Sequence, residues 1–374
     1  MDLLITGPVF DATGYAEILR NIALGLDQSG VNIRLEPRNL GQAMAPLPAA
    51  TEEALRRMAG GMASGGASKP GVALHIFLAG FFMPVAGMFN IGLTMLEVDR
   101  VPADWVARCN MMDEIWVPSS FNLETFSASG VKREIIRVMQ LGVDVKKFSP
   151  AGAPLEVPGL RGFVFLSVFE WILRKGYDLL LPAFLAEFGP EEDVSLLLKV
   201  HDNSGYDPAG ASIRAYVDEV CRSMGRPTGQ IVVISHVLPS DLMPALYRRA
   251  NCFVLPTRGE GWNMPAIEAM ASGLPVISTA WSGQMDFLQE AGAYLIEVEA
   301  LEAVPMQGIA NDKVYAGARW ARPSVSHLRR LMRHVYERRE EAAQVGLKAR
   351  EVIRRRYSWD AAIAGMRARL AELS

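Results

Sequence analysis

Short apolar runs recur along the chain, separated by longer stretches in which apolar residues return at helical spacing. The runs at 3–6, 31–36, 72–77, 114–117 and 135–139, and then at 163–168, 194–200, 230–235, 252–255 and 275–279, predict buried strands. Another strand should end at Met95 or Leu96. Segments 15–26, 51–58, 121–129, 177–188, 210–224 and 240–250 predict the helices between them. Strand and helix alternating in this way build a parallel sheet covered on both faces. From Pro323 the chain reads as helical and basic, and residues 357–360 cap a last amphipathic helix that runs to Leu373. No internal repeat is present.

A chain of 374 residues is too long for one ordinary core and suits two α/β domains. The proline- and glycine-rich stretch 151–159 marks the junction, giving domains at 1–155 and 156–356. Residues 59–70, rich in glycine and serine, predict a flexible loop. Half the residues are hydrophobic and 21% are charged, which excludes disorder as the dominant state. Net charge is −3 and the one basic block is Arg354, Arg355 and Arg356, so nucleic acid is not an expected partner. Cys109, Cys221 and Cys252 lie far apart, implying neither a disulfide framework nor a zinc site and fitting a cytoplasmic location. The amino terminus runs straight into a strand, without the charged region of a signal peptide. The apolar run 71–96 is broken by Pro84, His75, Asn90 and several glycines, so it predicts no spanning helix. Within it, Phe81, Phe82 and Met83 are read as core filling, with peripheral contact at the inner face of a membrane as the alternative.

The most informative stretch is 258–277, RGEGWNMPAIEAMASGLPVI. A strand runs into Pro256 and a glycine-flanked loop, and a helix opens with Asn263 as N-cap and Pro265 in its first turn. Gly273 supplies the left-handed C-terminal residue, and Pro275 stops the helix before the next strand. Unpaired N–H groups from about Gly261 to Ala266, through Trp262, Asn263 and Met264, would favour an anion. Glu260 and Glu268 flank that end. Carboxylates repel phosphate, so they suit uncharged hydroxyls on either side of it, which points to a nucleotide sugar. The plainer alternative makes Glu260 a solvated loop acid and Glu268 an acid that suits the helix dipole.

The pair Glu260 and Glu268 in EGWNMPAIEAMASGLPV resembles the donor-site signature of retaining GT-B glycosyltransferases of family 4, an acid, seven residues and a second acid. The resemblance implies an α/β fold of two Rossmann-like, doubly wound domains facing across a cleft. It also implies that helix 357–374 returns to the first domain. In that family the first acid, here Glu260, contacts the donor sugar and the second, here Glu268, the ribose. Lys175 matches a lysine on the donor phosphates. The family's preceding Gly-Arg pair reads Phe169-Glu170 here, and Arg174 is the expected substitute, since adjacent cations before a glycine and a helix suit a diphosphate.

Residues 90–105 carry TMLEVDRVP, similar to a pattern found in a subgroup of the same family. Many members place a histidine there; this chain offers Glu97 toward sugar or acceptor, with Asp99 and Arg100 as partners of each other. A local Glu97–Arg100 ion pair is the alternative. Gly14, in the loop after the first strand, either admits the donor or serves tight helix packing. His236 follows the third strand of the second domain, where the family contacts the base. His201 is a weaker candidate, and His75 is read as a core histidine.

Together these readings predict a retaining glycosyltransferase with Glu260, Glu97 and Lys175 at the chemical step. Arg174, Lys175, Gly261, Trp262, Asn263, Met264, Glu268, Gly14 and His236 would bind the donor. Partners would be a nucleoside-diphosphate sugar and a carbohydrate or lipid-linked acceptor, as in glycan or glycolipid biosynthesis. No D-x-D pair ends a strand, so cations and amides would stabilise the leaving diphosphate without a metal or other cofactor. A GT-B phosphorylase and a non-catalytic sugar-nucleotide-binding protein are the alternatives.

Overall fold

Because a helix follows almost every strand, successive strands re-enter their sheet in the same direction. The computed structural model describes residues 1–38, 44–60, 71–202, 210–306 and 312–373. The amino-terminal part forms β1 (Asp2–Gly7), α1 (Gly14–Gln28), β2 (Asn32–Pro37), α2 (Ala49–Gly60), β3 (Val72–Ile76), β4 (Phe89–Leu93), α3 (Ala103–Cys109), β5 (Glu114–Val117), α4 (Ser120–Ala128) and β6 (Ile136–Val138). Its sheet is parallel, in the order β2-β1-β3-β4-β5-β6. The predicted flexible loop falls, from residue 61 onward, outside the described residues.

The second part forms β7 (Phe163–Glu170), α5 (Tyr177–Glu187), β8 (Val194–His201), α6 (Ala211–Ser223), β9 (Ile231–Ile234), α7 (Met243–Arg249), β10 (Cys252–Leu255), α8 (Met264–Ala271), β11 (Val276–Thr279), α9 (Met285–Glu290) and β12 (Tyr294–Ile296). These strands make a second parallel sheet, β12-β11-β10-β7-β8-β9. An antiparallel pair follows, β13 (Val298–Ala303) and β14 (Arg319–Pro323), with α10 (Asp312–Tyr315) between them, and then α11 (Val325–Glu337), α12 (Arg339–Arg356) and α13 (Trp359–Glu372). Both large sheets are doubly wound α/β layers. No helix among the described residues is long and apolar enough to cross a membrane.

The chain divides into Met1–Gly142 with Tyr357–Ser374, and Val143–Arg356. The sequence reading placed the first boundary at 155/156; the structure moves it to 142/143. Residues 143–155 belong with the second unit because Leu155 N–H donates to Ala245 O at 2.8 Å and Phe148 packs edge-on against Tyr247. Arg350 of α12 also donates to Phe148 O and Ala271 O. In the first unit, α13 is fastened to β5. Glu114, 2% exposed, accepts from Arg369 Nε at 3.1 Å and from Trp116 Nε1 at 2.7 Å.

Two strands differ in length from expectation. β4 stops at Leu93 rather than at 95 or 96, because Met95 N–H leaves the ladder for the Tyr15 hydroxyl at 3.1 Å. β7 continues to Glu170, which pairs in register with His201. Core filling holds for Phe82, whose ring occupies the space a Cβ on Gly92 would take, but Phe81 and Met83 are exposed. His75 is a satisfied core histidine, 3.1 Å from Asn90 Oδ1.

Strand order reverses between β1 and β3 in the first unit and between β7 and β10 in the second. Crevices at such reversals, outside the carboxyl ends of the strands, are where doubly wound sheets take ligands.

Candidate functional site

The second reversal is built from two interlocked loops. After β7 the chain makes a turn over Leu173–Lys175 and passes through Gly176 in the left-handed region, at φ 75°. A Cβ on Gly176 would lie 2.1 Å from Pro256 O, so glycine allows this turn to rest directly on the exit of β10. Arg258 N–H then donates to Arg174 O at 2.7 Å, and Arg174 Nη1 donates to Gly259 O at 2.6 Å.

This arrangement brings Lys175 Nζ to 2.8 Å from both carboxylate oxygens of Glu260. Arg174 Nη1 lies 3.5 Å from Oε2, and the buried Thr257 hydroxyl donates to Oε1 at 2.9 Å. Glu260 is 4% exposed. Burial alone would raise its pKa, but the charges of Lys175 and Arg174 and the hydrogen bonds to it hold it below the usual carboxylate range. The acid is therefore ionised and not a solvated loop residue.

A third loop fixes the backbone of Glu260. Its N–H donates to Ser282 Oγ at 2.8 Å, and its carbonyl accepts from Gly283 N–H at 2.9 Å. Ser282 adopts φ 72°, an uncommon conformation for a residue with a side chain. A Cβ on Gly283 would sit 2.1 Å from Gly261 O.

α8 starts as the sequence predicts, with Asn263 as cap and Pro265 in the first turn. Asn263 itself is left-handed, at φ 73°. Its side-chain oxygen accepts from Ala266 N–H at 3.3 Å, so the expected run of unpaired amides ends before Ala266. Its Nδ2 donates to Gln284 Oε1 at 2.6 Å, and Gln284 Nε2 donates to Thr279 O at 2.7 Å. Trp262, 2% exposed, packs on Phe287, leaving its side chain to the core; Met264 is half-buried. One helical turn on, Glu268 Oε2 accepts from Tyr247 OH at 2.8 Å. Burial and the Glu268 charge push the Tyr247 phenol well up, so it remains a donor.

Lys175, Arg174, Glu260 and Gly261–Asn263 thus lie together, with Glu268 on the same short helix. His236, just past β9, is exposed, and His201 ends β8 with its pKa lowered by burial. The remaining candidates belong to the first unit. Gly14 is the exposed first residue of α1, and an added Cβ would meet nothing within 4 Å, which removes tight packing as its reason. Glu97 is half-buried in the loop after β4, and Arg100 Nε lies 3.7 Å from Asp99 Oδ1.

Sequence reading assigned no role to Thr257, Arg258 or Tyr247, and none to Ser282 and Gln284 within 279–286, a stretch that resembles the family's glycine loop; apart from the bond of Thr257 to Glu260 three residues on, their contacts are distant in sequence. Lys199, which the sequence places with His201 at the carboxyl end of the second strand of this domain near the expected nucleotide, is 7% exposed on β8, and burial pushes its amine down to about 8.

Residues 161–305 match the family model for glycosyl transferases group 1. A mannosylfructose-phosphate synthase of Agrobacterium fabrum is 34% identical over 161 residues, covering 41% of this chain and 34% of that protein. An MMP alpha-(1->4)-mannosyltransferase of Mycolicibacterium hassiacum is 28% identical over 169 residues, 44% of this chain and 37% of that one. The chain spans about a third of the length of these curated relatives. Among solved structures, a sucrose-phosphate synthase from Thermosynechococcus elongatus superposes with TM-score 0.70 at 15% identity, covering 100% of this chain and 99% of that one. The Anabaena protein HepE in complex with UDP and glucose gives 0.68 at 13%, covering 100% of both chains. Residues 161–305 are thus similar to glycosyl transferases group 1, and the chain that carries them has the GT-B fold.

Proposed function

We propose that this protein transfers a hexose from a nucleoside diphosphate to an acceptor hydroxyl, with retention of anomeric configuration and without a metal. The observation that carries the reading is the buried contact of Lys175 with Glu260 beside the amino end of α8. An acid and a cation held this close, next to backbone amides, answer the two demands of a nucleotide sugar: charge for the diphosphate, hydroxyl acceptors for the sugar.

Both Glu260 oxygens accept from Lys175, and Oε1 also from Thr257. The incoming diphosphate takes Lys175, and the oxygens released accept hydroxyls of the hexose. Arg174 and the Gly261–Asn263 amides complete the phosphate contacts, Glu268 meets the ribose and His236 the base. The first unit, through Glu97, holds a carbohydrate or lipid-linked acceptor. Attack occurs on the face the leaving group departs from. The anomeric carbon's bond to the diphosphate oxygen breaks, a bond to the acceptor oxygen forms, and the acceptor proton passes to the departing phosphate. Lys175 stabilises the charge that develops there.

The test is incubation with UDP-, GDP- and ADP-hexoses, following nucleoside diphosphate release and product configuration by NMR, with and without a chelator. An α-linked donor should give an α-linked product, unaffected by the chelator. Glu260→Gln should lower turnover at least about 100-fold if it orients the reacting sugar. Full activity of that variant, or inversion, overturns the mechanism, and loss of activity with chelator overturns metal independence.

A further inference from the structure

Lysine carries its charge on a flexible four-carbon stem, so where the amine sits depends on how firmly its backbone is held. The backbone around Lys175 is gripped on both sides by one residue. Arg258 Nη1 donates to Leu173 O at 2.7 Å, just before Lys175. Nη1 and Nη2 then form a bidentate pair with Asp178, at 2.8 and 2.7 Å, in the first turn of α5 just after it. The main chain of Arg258 adds the bond to Arg174 O.

Arg258 is itself backed by the antiparallel pair. Its Nε lies 3.5 Å from Glu302 Oε1 on β13, its guanidinium carbon lies 5.6 Å from the centre of the Trp320 ring on β14, and its carbonyl accepts from Ala321 N–H at 2.9 Å. Trp320 Nε1 donates to Glu302 at 3.1 Å, closing the bracket. Trp320 and Ala321 lie beyond the segment that matches the family model. Arg258 is 7% exposed, with its guanidinium committed to Leu173, Asp178 and Glu302, so it acts on a ligand only through the turn it holds.

We infer that Arg258, buttressed by the β13–β14 pair, is a positioning residue that sets the place of the Lys175 amine for the donor diphosphate. The inference rests on the donor reading above. Its test is calorimetric binding of UDP, GDP and ADP, each beside its parent nucleoside, to the full chain and to Arg258→Lys, Asp178→Asn and Glu302→Gln. The wild type should bind one diphosphate better than its nucleoside. Arg258→Lys and Asp178→Asn should each weaken that diphosphate about tenfold or more, the scale of a charge-assisted bidentate bond, and leave the nucleoside within about twofold. The double variant should be no weaker than the worse single, because both remove one bridge. Glu302→Gln should weaken the diphosphate about threefold, as for a partly exposed ion pair.

Equal weakening of diphosphate and nucleoside would show general damage and overturn the inference, as would unchanged binding in both Arg258→Lys and Asp178→Asn. An unchanged Glu302→Gln removes the buttress from it. If the wild type binds none of the three diphosphates, the donor reading falls and this inference with it; if the wild type binds and the variants match it, only the role of Arg258 falls.

Discussion

At the carboxyl edge of β7 and β10, half-buried Lys175 and Arg174 lie within 3.5 Å of the buried carboxylate of Glu260. At the corresponding edge of β1 and β3 the groups are of another kind. Tyr15 OH, its pKa raised by burial, accepts from Met95 N–H, and His75 pairs with Asn90. A buried guanidinium there, on Arg20, is turned to the loop itself and to its own helix, donating to Val9 O and Asp11 O at 2.9 and 3.0 Å and to Glu17 at 2.8 Å. Two sheets with the same kind of strand reversal therefore differ in what they hold there: facing cations and an acid from separate loops in one, a phenol, an imidazole and a locally paired arginine in the other. An edge that meets a diphosphate gains from cations assembled before the ligand arrives, whereas an edge that meets a neutral hydroxyl would be desolvated at a cost by the same charges.

That contrast breaks or sharpens under substitution, the largest effect coming first. Lys175→Met should lower kcat/KM for transfer by about 100- to 1000-fold, the range for removing a donor to a developing anion. Tyr15→Phe, which removes one neutral hydrogen-bonding group at the other edge, should cost less than about tenfold. Equal losses in a steady-state assay would erase the distinction. Gly283→Ala should destabilise the chain by about 3 kcal/mol, since its Cβ meets Gly261 O, while Gly14→Ala should change stability by less than about 0.5 kcal/mol. Urea unfolding measures both, and a large loss for Gly14→Ala would mean the first edge is as tightly built as the second.

A pH-dependent effect concerns Lys199. Its amine releases its proton at about 8 in the folded chain and near 10.5 when unfolded, so below pH 8 both states are charged and the full cost of burial is present. Between those values the unfolded chain binds more protons, and wild-type stability rises with pH. Lys199→Met should therefore gain about 3 kcal/mol at pH 7, with the gain shrinking from pH 8 to 10.5. A variant that is less stable at pH 7 would show the amine to be compensated by its surroundings.

The sequence was most legible where local chemistry decides the structure. Asn263 and Pro265 at the start of α8, Gly273 at its end, and the apolar runs of both sheets act through neighbours a few residues away. Glu260 and Lys175 could be chosen as candidates, but not their direct contact, because 85 residues separate them and no periodicity reports a fold-made pair. Arg258 reads as the plain opening of a loop until Asp178 and Trp320 are placed beside it. The β13–β14 pair was missed because VEALEA over 298–303 repeats every three residues rather than every two and is rich in Glu and Ala, poor strand formers. The unit boundary moved because the linker's own proline and glycine content says nothing of which side it packs on.

The left-handed Asn263 ties two crossovers into a single knot. Its amide caps the helix after β10 and grips Gln284, which in turn holds the chain leaving β11 through Thr279. Beside it, Ser282 carries the peptide of Glu260. A push on the acid is thereby felt at once by the neighbouring crossover, and both must yield together or not at all. Such shared stiffness lets this corner of the molecule keep its shape while ligands come and go.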